Sequence, residues 1–227
     1  MSNIFDCSVD TDLLTGMRLA KIAIARSQLV VLPTDTVYGI AADAFSPEGV
    51  AALLSAKGRG PQSPPPVLIA NQNALNALAT DVHPIALELA EAFWPGALTM
   101  IFKAQPSLAW NLGETRGTVA LRIPDHKIAL ALLQETGPLA VSSANLTGQP
   151  AATTAAAAKD CLGKSVEVYL DAGVSPKGEA STILDLTGLS GQPDGKIRVV
   201  RLGALSIDKI RRVAGDLLED APAKGDS

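Results

Sequence analysis

The chain has 227 residues, 47% of them hydrophobic, with 19 Lys plus Arg against 23 Asp plus Glu and a formal net charge of −4. That composition fits a soluble α/β chain of one domain and excludes a strongly basic nucleic-acid module, while leaving room for a local basic patch. Acidic residues stand where a secretory leader would be basic, no apolar run is long enough to cross a bilayer, and two histidines with two cysteines are too few for a Cys/His zinc site.

Residues 12–27 carry apolar side chains at helical spacing, Leu13, Met17, Ala20 and Ile24, with Arg18, Lys21 and Arg26 opposite, which predicts an amphipathic opening helix. Leu29 to Leu32 reads as a buried strand that Pro33 ends, delivering the turn Thr34-Asp35-Thr36. Ser46 followed by Pro47 signals a helix running to about Lys57, after which Gly58, Gly60 and four prolines in residues 61–66 force a loop. Val67 to Ile69 is expected as a strand, residues 71–78 as a short helix, and Pro84 to Phe93 as a helix stopped by Trp94-Pro95-Gly96. Leu98 to Phe102, Thr118 to Ile123 and Leu139 to Ser142 read as strands, with Lys127 to Glu135 helical between the last two.

Residues 154–159 form a helix by alanine propensity. Val166 to Leu170, Ser181 to Leu186 and Ile197 to Arg201 follow as strands, and strands in succession imply a mixed sheet. Ser206 to Glu219 is a last amphipathic helix, and residues 220–227 read as a disordered tail. His83 and His126 read as helix-opening or surface residues, and Cys7 and Cys161 as reduced packing residues of a cytosolic protein.

No phosphate-loop, dinucleotide-binding, nucleophile-elbow or HExxH signature is present. What remains is a set of polar residues in loops bounded by Gly and Pro, where function concentrates. Lys57-Gly58-Arg59 places two cations at a helix end, which suits either the helix dipole or a phosphate clamp, Lys as a point charge and Arg as a fork. Arg122 ends the apolar run Val119-Ala120-Leu121; a surface ion pair is the plain explanation, but a buried guanidinium there needs an anion, and a ligand carboxylate would serve. Ser142 to Asn145 and Ser181-Thr182 emerge at strand ends, either as turn formers or as ligand contacts.

Seven segments in order resemble the YrdC-like threonylcarbamoyl-AMP synthase family over residues 12–210: Pro33 to Gly39, Lys57 to Arg59, Trp94 to Thr99, Val119 to Pro124, Ser142 to Asn145, Ser181 to Ile183 and Arg201 to Gly203. The resemblance implies a single α/β YrdC-like domain with a twisted mixed sheet, flanking helices and a concave cleft. It implies an enzyme joining L-threonine, bicarbonate and ATP into threonylcarbamoyl-adenylate with release of diphosphate, the product passing to a downstream threonylcarbamoyl transferase complex for tRNA modification. Lys57, Arg59, Ser143 and Asn145 match the family's KxR and SxN catalytic positions. Those four with Thr118 and Arg201 match its ATP site, and Thr36, Arg122 and Ser181 its threonine site. Mg2+ is expected with ATP, and no membrane partner is expected.

Three departures accompany the resemblance. Gly60-Pro61 and the triple proline 64–66 make the loop after Arg59 one residue longer than usual; a histidine of many members falls at Ala70; and the chain resembles the short form, without an extra C-terminal domain. Two other readings compete. One is a non-catalytic double-stranded RNA or tRNA-binding module of the same fold, against which the charge of −4 weighs. The other is a carbamoyl-transfer domain of the hydrogenase-maturation kind, against which the lack of accompanying acylphosphatase-like or zinc-finger segments weighs.

Overall fold

The computed structural model describes residues 3–192 and 194–220. Among the described residues seven α-helices flank one mixed sheet of eleven strands. The strands are β1 (Ile4–Asp6), β2 (Val30–Leu32), β3 (Gly39–Asp43), β4 (Val67–Leu68), β5 (Ala79–Thr80), β6 (Leu98–Ala104), β7 (Thr118–Arg122), β8 (Leu139–Ser143), β9 (Val168–Asp171), β10 (Thr182–Asp185) and β11 (Arg198–Arg201). The helices are α1 (Asp10–Ala25), α2 (Pro47–Ala56), α3 (Asn73–Leu78), α4 (Pro84–Phe93), α5 (Lys127–Thr136), α6 (Ala155–Leu162) and α7 (Ile207–Ala214). Across the sheet the order is β1-β9-β2-β3-β8-β4-β7-β6-β10-β11, with β5 paired to β6.

Local signals account for several boundaries. Ser46 accepts the Gly49 N–H at 2.9 Å ahead of Pro47, His83 Nδ1 accepts the Ile85 N–H ahead of Pro84, and Thr154 accepts the Ala157 N–H, so each helix begins on a capped end. The opening helix starts at Asp10, ahead of the expected Asp12. The last helix is shorter than expected: it stops at Ala214, where Gly215 takes a φ of 55°, and a single 3-10 turn, Gly215–Leu217, follows. Three strands were not anticipated, β1, β3 and β5. Gly, Ala and Asp dominate β3 and favour strands weakly, but β2 and β8 flank it and satisfy its backbone on both sides. Of the tail expected to be disordered, all but Asp220 lies outside the described residues.

Strand alternation splits the core into two layers. Val30 and Leu32 of β2 join a cluster with Ala20, Ile24, Ile128 and Leu132 from α1 and α5, while Val31 faces the larger cluster on the other side. The α1/α5 cluster draws on β2, β3, β4, β8 and β9 and, among the described residues, on no residue of β6, β7, β10 or β11. On those four strands the same sheet face is left without that helical cover and becomes the floor of a cleft of about 280 Å3.

Candidate active site

Register decides which side chains reach the cleft. Val119 and Leu121 of β7, with Ile123 just past its end, enter the larger core, so Ala120 and Arg122 point the other way. Leu68 pairs with Arg122, Thr99 with Ile183, and Ile183 with Arg201, which lines these residues up across the exposed face. Ser143 pairs with Gly39 at the ends of β8 and β3 and borders the same space. A Cβ at Gly39 would stand 2.6 Å from the Val141 side chain, so glycine is required for β3 and β8 to pack here.

Seven of the nine expected site residues border the cleft: Thr36, Arg59, Thr118, Arg122, Ser143, Ser181 and Arg201. Arg59 donates through Nε to Thr147 Oγ1 at 3.1 Å. Arg201 donates through Nε and Nη2 to the Ser181 carbonyl, at 3.1 and 2.8 Å, and through Nη2 to the Ser181 hydroxyl at 3.2 Å. That hydroxyl lies 2.8 Å from Thr99 Oγ1, and Thr118 Oγ1 donates to the Thr115 carbonyl at 2.7 Å. Burial, then Arg122, then Arg59 lower the affinity of Arg201 for its proton, the signature of like charges gathered in a half-buried site. Among the described residues neither Arg59 nor Arg201 pairs with a carboxylate.

Lys57 and Asn145 stand behind the wall instead. The side chain of Lys57 is almost wholly covered, and its ammonium donates to the carbonyls of Ser143 at 2.5 Å and Asn145 at 2.7 Å. The Lys57 carbonyl in turn accepts from the Thr147 N–H and hydroxyl. Lys57, expected as a point charge on phosphate, here fastens the 143–147 turn to the end of α2. Burial and, secondarily, Arg59 push its ammonium down to about 8. Asn145 Nδ2 donates to the Leu146 and Gln149 carbonyls, and its Oδ1 is buried without a hydrogen-bond partner among the described residues.

Arg122 has found an anion inside the chain. It is 6% exposed and donates through Nη2 to Asp35 Oδ1 at 2.5 Å, through Nη1 to Thr36 Oγ1 at 3.0 Å and through Nε to the Gly96 carbonyl at 2.8 Å. Asp35 Oδ1 also accepts the Asp125 N–H, and Oδ2 accepts from Lys177 Nζ, both at 3.0 Å. Burial raises the Asp35 pKa, but Arg122, Lys177 and the Asp125 N–H outweigh it and hold the carboxyl below the ordinary range. Sequence reasoning missed Asp35 and Lys177. The signal was the need of Arg122 for an anion, which the carboxylate in the turn Thr34-Asp35-Thr36 could answer.

His83 and His126 head α4 and α5 and do not border the cleft, and Ala70, at the position of the family histidine, packs against the α1/α5 cluster. Cys7 is buried and Cys161 half-buried, both free, and burial pushes the Cys7 thiol up to about 11. Among the described residues no three His, Cys, Asp or Glu side chains gather as a metal site, and no helix is long and apolar enough to cross a membrane.

Residues 23–203 match the model of the Sua5/YciO/YrdC family, described as telomere recombination. A Mycobacterium leprae protein provisionally named a threonylcarbamoyl-AMP synthase is 47% identical over 95% of both chains. Pyrococcus abyssi threonylcarbamoyl-AMP synthase is 35% identical over 88% of this chain and 58% of its own. The solved structure of P. abyssi Sua5 with L-threonine superposes with a TM-score of 0.84 and 32% identity, over 96% of this chain and 62% of the other. With its mixed sheet, its bare sheet face and its ordered motifs, the chain belongs to the Sua5/YciO/YrdC family.

Proposed function

We infer that the protein is an L-threonylcarbamoyladenylate synthase, making threonylcarbamoyl-AMP and diphosphate from L-threonine, bicarbonate and ATP. The observation that carries this reading is the trio Arg59, Arg122 and Arg201 on one cleft, two of them without a carboxylate partner among the described residues. Like charges gathered around one cleft ask for anionic ligands. Relatives named threonylcarbamoyl-AMP synthase, and the threonine-bound Sua5 structure, favour the enzyme over a non-catalytic RNA-binding module of the same fold.

The threonine amine and bicarbonate form a carbamate with loss of water. A carbamate oxygen then attacks the α-phosphorus of ATP, the bond to the β-phosphate oxygen breaks, and diphosphate carries away the leaving electron pair. In this reading Arg122 with Thr36 and Ser181 holds the threonine, while Arg59 and Arg201 with Thr118 and Ser143 offset the charge on the phosphates. Lys57 and Asn145 keep the turn that presents Ser143 in shape. Positioning and preset charge supply most of the rate in such a transfer. We propose that Mg2+ enters on the ATP phosphates, since the cleft offers hydroxyl and guanidinium groups rather than a carboxylate cage. We also propose a cytoplasmic enzyme whose product a downstream transferase complex places on tRNA.

Incubation with ATP, bicarbonate and single amino acids, with mass detection of the adenylate, tests the reaction. Diphosphate release is expected to require threonine and bicarbonate together, because neither alone supplies the carbamate. Equal release with ATP alone would leave a plain ATPase.

A further inference from the structure

We propose that Lys177 is a positioning residue of the threonine subsite: by holding the second oxygen of Asp35 it leaves the charge of Arg122 available to the carboxylate of the amino-acid substrate. The proposal rests on the assignment of Arg122 to that carboxylate. Arg122 and Asp35 are both buried and in contact, so as a pair they present almost no net charge to the cleft. A neutral pair attracts a carboxylate poorly. Lys177 Nζ, 3.0 Å from Asp35 Oδ2, returns the cluster to one net positive charge. Neither Lys177 nor Asp35 borders the cleft, whereas Arg122 and Thr36 do, so Lys177 acts through the pair and not on the ligand.

The arrangement depends on a loop that is fixed by other means. Residues 172–181 connect β9 to β10 and end at Ser181, a cleft residue. Tyr38 Oη donates to the Gly173 carbonyl at 2.7 Å and accepts the Ala172 N–H at 3.0 Å, while the Gly178 N–H reaches the Thr36 carbonyl and the Ser175 N–H the Thr153 carbonyl. These bonds hold the loop whatever stands at 177. Lys177 is itself partly exposed, at 41%, so its removal opens no cavity and the change is one of charge.

The test is threonine and ATP titration, by calorimetry and by KM, on Lys177→Gln, Lys177→Arg and the double variant Asp35→Asn with Lys177→Gln. Lys177→Gln is expected to weaken threonine roughly five- to tenfold and ATP by no more than about twofold, the threonine loss shrinking as salt is raised. Lys177→Arg restores threonine binding. The double variant recovers most of it too, because the amide oxygen introduced by Asp35→Asn still accepts from Arg122 and the Asp125 N–H but no longer cancels the guanidinium charge. Parent-like threonine binding in Lys177→Gln overturns the proposal. A double variant as weak as the single one also overturns it, by showing that the lysine serves only as a fastening. Arg122→Lys separates the two levels: if it leaves threonine binding unchanged, the subsite assignment fails, whereas a loss there beside a normal Lys177→Gln sinks the lysine's role alone.

Discussion

Lys57 and Arg122 are both cations of recognisable motifs, both nearly covered, and both were expected to reach substrate, yet the protein treats them in opposite ways. Lys57 gives its ammonium to two backbone carbonyls and, among the described residues, forms no ion pair with a carboxylate, so at neutral pH its charge is met chiefly by dipoles. Arg122 is locked to a carboxylate, a hydroxyl and a carbonyl and still borders the cleft. The difference teaches that a signature cation can serve the site by shaping a turn as well as by meeting a ligand. Burial of charge with a charged partner keeps it; burial among dipoles makes it conditional.

The most forceful way to break this contrast is Arg122→Ala. It strips the nearest partner from a buried carboxylate, and such losses cost about 3–5 kcal/mol. Because Lys177 stays on Asp35, the expected loss is near the lower figure, about 3 kcal/mol in urea unfolding. Adding Asp35→Asn should return part of it, since the orphaned charge is then gone. No loss in the single variant would show that Lys177 and the Asp125 N–H suffice for Asp35, and the two cations would no longer differ in kind.

Lys57→Ala comes next. It leaves the Ser143 and Asn145 carbonyls without their donor, at about 1 kcal/mol or more each, so about 2 kcal/mol of stability should go. Turnover should fall with it as the turn carrying Ser143 loosens, while the KM for ATP changes little. A raised KM for ATP with unchanged stability would place the ammonium on the nucleotide and erase the contrast.

Arg59→Ala sharpens it from the other side. Among the described residues the Arg59 side chain is tied only to Thr147 and, at 3.5 Å, to Ser142, so unfolding should shift by less than about 0.5 kcal/mol. Turnover should nonetheless fall by about tenfold or more, equivalent to about 1.4 kcal/mol at the transition state. Unchanged turnover would confine Arg59 to the helix end.

What the sequence made legible follows the reach of the forces. α4 begins and ends where Pro84 and Trp94-Pro95-Gly96 predict, because capping and termination are set by neighbours in the chain. β3 was invisible because Gly, Ala and Asp carry little strand signal of their own and its pairing on one side comes from β8, distant in sequence, although β2 flanks it from nearby; three-residue β1 is held by its pairing with Tyr169, Leu170 and Asp171. The same division runs through the site. The apolar run that Arg122 ends was enough to mark its guanidinium as needing an anion. Its partner Asp35 lies 87 residues away and Lys177 lies 142 residues from Asp35, so no spacing rule could join the three. The carbonyls that hold Lys57 are 86 and 88 residues distant and belong to the backbone, which carries no residue-type signal at all.

A pH series tests whether the charge on Lys57 is conditional as argued. Its ammonium titrates at about 8 in the folded protein against 10.5 ordinarily. Below about 8 both folded and unfolded chains hold the proton, and the cost of burying the charge is fully present and independent of pH. Between 8 and 10.5 the unfolded chain keeps a proton that the folded chain has lost, so this group makes stability rise with pH through that window. Arg122 stays charged throughout and contributes no such slope. The measurement is urea unfolding of the protein and of Lys57→Met at pH 7, 8, 9 and 10. The stability difference should stay flat up to about pH 8 and then move in favour of the lysine protein, as a deprotonated amine still donates to both carbonyls without the desolvated charge. A difference constant across the series would mean that the two carbonyls offset the whole desolvation of the ammonium, in which case dipoles alone preserve a buried charge and a carboxylate partner is not what distinguishes Arg122.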